Sequence, residues 1–128
     1  MIAKYIRIIM LITGVLTMTA GVIYFAPDLG LRLQGVSVTE ATGRFFARHW
    51  GLSTMAVGAL LVYASSRAAL RAPALTLATV TKGTFVALLL TQWNDPALAG
   101  LRGAFGFDVV CVVLFVAYLL GRRPSAPA

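Results

Sequence analysis

Four long runs of apolar residues dominate the chain, and short stretches rich in charge, glycine or proline separate them. A helix needs about 20 mostly apolar residues to cross the hydrocarbon core of a bilayer. The runs that approach or meet this length cover residues 5–25, 45–65, 73–93 and 104–120. The pattern therefore predicts an all-α fold, an integral membrane four-helix bundle that forms a single domain over residues 1–121.

Turn and cap signals mark the ends of these runs. Pro73 is predicted to begin the third helix, because the first helical turn does not need its missing N–H. The Asn-Asp-Pro sequence at 94–96 is predicted to end that helix. Gly121, followed by two arginines and a proline, is predicted to end the fourth. The basic, proline-containing tail at 122–128 is expected to be disordered.

The first connection, residues 26–43, alternates apolar and polar positions, a pattern that can indicate a β-strand. A lone strand has no pairing partner in this chain, so a loop lying on the outer membrane surface is expected instead. Near its end, Thr39 could cap the second helix. Glu40 and Arg44 would then stand in the order that favours an ion pair along a helix.

The composition supports membrane insertion and limits the chemistry. Only 12% of the residues are charged, against about 25% in soluble domains, which argues against a water-soluble protein. A single cysteine, Cys111, excludes an internal disulfide and any Cys-x-x-Cys motif. The single histidine, His49, is expected to be structural, and neither a metal nor a cofactor is predicted. No nucleotide, acyl-transfer or zinc signature occurs, so no enzyme is predicted.

The net charge of +7 comes from residues at the ends of the apolar runs, which argues against nucleic acid as a partner. Six basic residues fall on one side of a four-span arrangement: Lys4, Arg7, Arg67, Arg71, Arg122 and Arg123. The charges on the other side balance to zero: Asp28, Arg32, Glu40, Arg44, Arg48, Asp95, Arg102 and Asp108. Lys and Arg bias short loops towards the cytoplasm, so both termini are predicted to be cytoplasmic. The first run is longer than a signal-peptide core and is expected to be retained as a span.

Two stripes of small residues predict how the first two spans meet. Helices in lipid associate through small side chains that let their backbones approach closely. Each stripe has members three and seven positions after its first residue: Gly14, Thr17 and Gly21 in the first span, and Gly51, Thr54 and Gly58 in the second. A close contact between these stripes is one interpretation. The other is that glycine is simply frequent in membrane spans.

Lys82 is the most unusual residue of the pattern, because it stands inside the third apolar run, in Val-Thr-Lys-Gly-Thr-Phe. It lies roughly 13 Å deep at 1.5 Å per residue. Charged residues inside a span are rare and mark functional sites by default. The alternative is snorkelling, in which the lysine stem reaches towards an interface and leaves no site to explain.

A paired lysine requires an acid, and Asp108 is the candidate within a span. Asp108 is placed about one turn inside the fourth span and leans away from Lys82. A direct ion pair would then need helix tilt, a water molecule or a third residue. Arg48 and His49, at the outer end of the second span, could supply that link. The hypothesis is a polar, ligand-binding cluster of Arg48, His49, Lys82 and Asp108.

The layout resembles the small four-helix bacterial membrane proteins of the DoxX-like group, many of which have no assigned function. The resemblance covers roughly residues 5–121 and rests on "ITGVLTMTAGVIYFAPDLG", "RHWGLSTMAVGALLVYASSR", "KGTFVALLLTQWNDP" and the fourth span. Such relatives tend to carry a basic residue before a Gly-rich second span, another in the third, and an acid in the fourth. Arg48, Lys82 and Asp108 are the matching positions, although Lys and Asp stand where longer Arg and Glu are usual. The resemblance implies a four-helix bundle in the bacterial cytoplasmic (inner) membrane.

Two classes of function remain open. Small size and the lack of catalytic groups favour a non-catalytic accessory or assembly component of a membrane complex, or a homo-oligomer. The alternative is binding or transport of a small anionic or quinone-like molecule at the polar cluster, and the link to quinones is only implied by the resemblance. The predicted partners are therefore the lipid bilayer together with another membrane protein or a second copy of the chain.

Overall fold

The computed structural model describes residues 2–121, and these residues form six helices with no β-strand among them. The helices are α1 (Ile2–Met18), α2 (Val22–Phe25), α3 (Pro27–Leu33), α4 (Ala41–Ser65), α5 (Ala68–Thr91) and α6 (Arg102–Gly121). A 3₁₀ turn at Thr19–Gly21 joins α1 to α2, and a second 3₁₀ segment at Pro96–Leu101 leads into α6.

Four helical segments are long and apolar enough to cross a membrane: Ile2–Phe25, Ala41–Ser65, Ala68–Thr91 and Pro96–Gly121. They contain 24, 25, 24 and 26 residues, against the roughly 20 that a span requires. The predicted all-α architecture with four long apolar helices is therefore confirmed. The tail predicted at 122–128 lies outside the described residues.

The start of the third long helix differs from the prediction. Helix α5 begins at Ala68, so Pro73 is its sixth residue and not its first. A proline this early removes a single backbone hydrogen bond. The tight turn from α4 is held instead by Arg71, whose Nε and Nη2 both donate to the carbonyl of Ser65, at 3.1 and 2.9 Å.

The long first connection contains a helix where a surface loop was expected. Pro27 occupies the first turn of α3 and Asp28 follows it, which is the arrangement that favours a helix start. The predicted Glu40–Arg44 ion pair is wrong, because Glu40 has an extended backbone and precedes α4. Arg44 pairs with Asp28 instead, with Nη2 and Oδ1 2.7 Å apart. Thr39 does not cap the helix, since the N-cap position belongs to Glu40.

Helices α1 and α4 run antiparallel and approach each other at the predicted glycines. A Cβ added to Gly14 would lie 2.8 Å from the carbonyl oxygen of Gly58, and one added to Gly58 would lie 2.6 Å from that of Gly14. Gly51 is equally close to the Ala20 carbonyl, at 2.8 Å, and Gly21 faces the side chain of Met55. The small-residue stripes therefore form a close helix contact.

The two halves of the bundle are packed differently. All four long helices contribute to a buried apolar core near the first turn of α1 and the turn between α4 and α5. Its members are Ile6, Met10, Leu61, Ala64, Ala74, Leu75, Ala78, Cys111 and Phe115. Cys111 is fully buried in this core, as expected for a small apolar side chain. The opposite half of the bundle holds the polar residues and a cavity.

The glycine contact gives a first prediction. We expect Gly58→Ala to destabilise the fold by about 1–3 kcal/mol, because the added methyl group would overlap the backbone of α1. The measurement is denaturant-induced unfolding of the purified protein in detergent. Gly83→Ala is the matched control, because a Cβ at Gly83 meets no atom within 4 Å. That control should be neutral or stabilising by up to about 1 kcal/mol, and equal losses in both variants would contradict the prediction.

Candidate functional site between the four helices

Lys82 and Asp108 form a direct ion pair in the interior of the bundle. The Lys82 Nζ lies 2.5 Å from Asp108 Oδ1, and the two side chains are 6% and 14% exposed. The same ammonium lies 4.8 Å from the ring centroid of Phe107, the residue before its partner. Lys82 therefore does not snorkel to a helix end. It is the cationic member of a pair that joins α5 to α6.

The direct contact follows from where the fourth long segment begins. The pattern placed Asp108 about one turn inside its span, but helical structure already starts at Pro96, twelve residues earlier. Lys82 lies nine residues before the end of α5 at Thr91. Both side chains are therefore several turns inside, at comparable depth in two neighbouring antiparallel helices. No third residue is required to bridge them.

Arg48 and His49 do not join this pair, so the predicted four-residue cluster is wrong. The Arg48 Nε donates to the carbonyl of Tyr24 at 3.1 Å, and its guanidinium carbon lies 5.2 Å from the Tyr24 ring centroid. His49 is exposed beside it. Successive helical residues are about 100° apart, so Trp50 points to the opposite side from Arg48. It is Trp50 that faces α5, where its ring stacks on Phe85.

A cavity of about 320 Å³ opens beside the ion pair. It is lined by Thr17 from α1, by Trp50, Ser53, Thr54 and Val57 from α4, by Val80, Thr81, Lys82, Thr84 and Phe85 from α5, and by Asp108 from α6. The exposed lining residues Ser53, Thr81 and Thr84 place its mouth between α4 and α5. The walls are largely apolar and the polar atoms converge at one end, as in many small-molecule sites.

Thr17 carries a buried hydroxyl group without a hydrogen-bond partner. The residue is 4% exposed, and its Oγ1 is the buried side-chain polar atom left unsatisfied within residues 2–121. One turn earlier, Thr13 donates to the carbonyl of Ile9 at 2.7 Å, and Thr79 does the same to Leu75. An unsatisfied buried polar group costs about 1–3 kcal/mol. Thr17 therefore offers an unused donor and acceptor at the wall of the cavity.

Several residues of the site were absent from the predictions. Thr17 was predicted only as a packing residue, and the aromatic pair Trp50 and Phe85 was not predicted at all. The rings of that pair are 6.3 Å apart between centroids and inclined by 25°. The sequence feature that could have located the cavity is a set of hydroxyl residues inside two apolar runs, Ser53 and Thr54 in the second run and Thr81 and Thr84 in the third. Thr81 and Thr84 share a face because they are three positions apart on a helix, and Ser53 and Thr54 are adjacent residues that both line the cavity.

The electrostatics of the cavity are those of a neutral pair. A lysine ammonium has three N–H donors, and among the described residues one of them is directed to Asp108 Oδ1. Two donors of Lys82 and the second carboxylate oxygen of Asp108 remain for a bound molecule. The site can therefore donate and accept hydrogen bonds at once, while its net charge stays zero.

Comparisons with known proteins do not assign the site. No protein-family model, no curated protein and no solved structure matches the chain. The resemblance to the DoxX-like group therefore stays a prediction. Residues 2–121 also contain no group of three His, Cys, Asp or Glu side chains that could hold a metal ion.

The ion pair gives a second prediction, tested by a double-mutant cycle. Lys82→Met and Asp108→Leu should each destabilise the fold by about 3–5 kcal/mol, because each leaves one buried charge without its partner. The double variant should recover most of that loss. Free energies of unfolding in detergent provide the measurement.

The exposed Asp28–Arg44 pair supplies the control for this cycle. Its side chains are 79% and 38% exposed, and exposed ion pairs are worth about 0–1 kcal/mol. Arg44→Gln should therefore change the stability little. A double variant whose loss equals the sum of the two single losses would show that Lys82 and Asp108 do not depend on each other.

Proposed function

We propose that this protein is a non-catalytic, membrane-embedded binding protein whose cavity takes up a small, flat, quinone-like molecule. The observation that carries the proposal is that the unpartnered Thr17 hydroxyl and the buried Lys82–Asp108 pair line the same cavity. A bound molecule with a polar end would satisfy the hydroxyl and use the free donors of Lys82. The two charged groups already neutralise each other, which favours holding a ligand over transferring its protons.

The neutral pair favours one of the two ligand types that the sequence left open. An anion would approach Lys82 only against the repulsion of the Asp108 carboxylate, which lies 2.5 Å from the ammonium. A neutral molecule with carbonyl or hydroxyl groups meets no such repulsion. Its carbonyl oxygens can accept from Lys82, and the hydroxyl groups of a reduced quinol form could donate to Asp108, so the quinone-like ligand fits the pair better than the anionic one.

The apolar part of the ligand would lie against the remaining walls of the cavity. Trp50 and Phe85 present nearly parallel rings, and aromatic rings favour offset stacking with other flat groups. Val57 and Val80 add further apolar wall to the cavity. If the helices span a bilayer, that mouth faces the lipid, which is where quinone-like molecules dissolve.

The placement in a membrane is part of the same proposal. The four long apolar helices support membrane insertion. The chain start and the α4–α5 turn lie at the same end of the bundle, with Lys4, Arg7, Arg67 and Arg71, and this end would face the cytoplasm by the positive-inside rule. We place both termini there and the protein in the cytoplasmic membrane of a bacterium.

The accessory-subunit hypothesis stays a prediction, and a copurifying polypeptide at fixed ratio would favour it.

Thr17→Val is the decisive variant for the binding proposal. Valine keeps the volume of threonine but removes the unpartnered hydroxyl. The unliganded protein should therefore be as stable as the wild type or more stable. Binding of a benzoquinone with a short alkyl chain, measured by tryptophan fluorescence in detergent, should weaken by about threefold to tenfold, the equivalent of one lost hydrogen bond.

Thr13→Val is the matched control, one helical turn away on the same helix. Its hydroxyl is already bonded to Ile9 and it does not line the cavity, so quinone affinity should not change. Two results would overturn the proposal: no saturable binding of the quinone to the wild type, or equal affinity in the wild type and Thr17→Val.

A further inference from the structure

A second cleft lies at the opposite face of α4, where the helix begins. It has a volume of about 540 Å³, and its lining includes Tyr24, Arg44, Phe45, Arg48 and His49. Arg48 and His49 were predicted as members of the buried cluster, and the cavity beside Lys82 does not use them. The cleft is therefore a separate concentration of basic groups that requires its own explanation.

The position of Arg48 is fixed by contacts that leave its charge available. Its Nε donates to the Tyr24 carbonyl and its guanidinium lies over the Tyr24 ring. A guanidinium carries five N–H donors in a planar fork, and among the described residues only the Nε donor of Arg48 has a hydrogen-bond partner. Arg48 is thus held in place by a backbone oxygen and a ring, neither of which neutralises it. Such an arginine is well suited to a phosphate group.

The charge of the cleft is positive even after its ion pair is counted. Arg44 pairs with Asp28, at 2.7 Å, but both side chains are substantially exposed and that pair is weak. Arg48 adds a second positive charge and His49 adds a further ring nitrogen at the rim. The sum at neutral pH is at least one net positive charge close to the surface.

The helix face that carries these groups is half apolar. Phe45, Arg48, His49 and Leu52 stand at i, i+3, i+4 and i+7, so they form one stripe along the first turns of α4. Phe45 is 68% exposed and lines the same cleft as Leu52. Basic groups beside exposed apolar side chains at the end of a span match a molecule with an anionic head and acyl chains.

We propose that this cleft binds the headgroup phosphate of an anionic phospholipid, with Arg48 and Arg44 as its charged ligands, Phe45 beside the headgroup and Leu52 along its acyl chains. Bidentate arginine–phosphate contacts give both energy and orientation. A free phosphate ion would use the arginines but gain nothing from the apolar stripe, so the lipid is the better occupant. This inference rests on the proposed membrane insertion and not on the quinone-like ligand.

The test is a titration of the purified full-length protein in detergent by native mass spectrometry. The two lipids are dioleoyl phosphatidylglycerol and dioleoyl phosphatidylcholine, which share acyl chains and differ in net charge. We expect one phosphatidylglycerol to bind with at least about tenfold preference, and Arg48→Gln to weaken it by about tenfold, because one charge-assisted hydrogen-bond pair is lost. Arg44→Gln should also weaken the binding of phosphatidylglycerol. If Arg48→Gln does not fold, the Arg44→Gln titration tests the proposal in its place.

Arg102→Gln is the matched control for the lipid titration. Arg102 has the same kind of contacts as Arg48, since Nη2 donates to the Trp93 carbonyl at 3.0 Å and the guanidinium lies 5.0 Å from the Trp93 ring, but it does not line the cleft. Its replacement should leave lipid binding unchanged. Equal binding of the two lipids, an equal loss in Arg102→Gln, or displacement of the lipid by millimolar inorganic phosphate would overturn the proposal.

Failure of this inference can be told apart from failure of the proposed function. Thr17→Val should leave phosphatidylglycerol binding unchanged, because Thr17 lines the other cavity. Absence of quinone binding with lipid preference intact would reject only the binding proposal. Recovery of the protein in the soluble fraction without detergent would reject membrane insertion, on which the lipid site depends.

Discussion

A charged group among four apolar helices must be neutralised close by, and the arrangement of α5 and α6 follows from that requirement. Lys82 is buried between the helices, so its partner has to stand at the same depth on the adjacent helix. Asp108 does so because the helical segment before it starts at Pro96 and carries it several turns inside. Breaking a buried pair costs far more than an exposed one, so this contact fixes the register of the two helices.

The glycine contact between α1 and α4 sets where Thr17 lies in the wall of the cavity. The close approach of these two helices at Gly14 and Gly58 places the next turn of α1, with Thr17, against the interior. The half of the bundle around Cys111 and Phe115 is filled by side chains that leave little space. In the other half, the backbones of α1 and α4 touch and α5 and α6 are joined by the buried ion pair. Because both contacts fix the helix positions, the side chains between them do not fill the space to the density of a normal protein interior.

The sequence alone predicted the four long apolar helices, because the length of an apolar run is a local property of composition. It gave the close contact of the glycine stripes as one of two interpretations. It identified Lys82 and Asp108, since charges in apolar runs are rare. It missed the direct pairing and the early start of α5, because both depend on where neighbouring helices end and not on residue type. It grouped Arg48 and His49 with Lys82, although a rotation of about 200° between positions 48 and 50 sends Trp50 to that side instead. The unpartnered state of Thr17 is a property of packing that no residue pattern carries.

The two polar regions of the bundle differ in the charge of the molecule that each can accept. The cavity beside Lys82 has no net charge and largely apolar walls, so an anion entering it would lose hydration without gaining a counter-charge. The cleft at Arg48 is exposed and positive, so a phosphate bound there would keep part of its hydration. A neutral, flat molecule gains little from the exposed arginines but gains apolar contact against Trp50 and Phe85, which line the cavity. Charge alone would therefore direct an anionic lipid and a neutral quinone-like molecule to opposite faces of α4, and occupancy of one site would leave the other free.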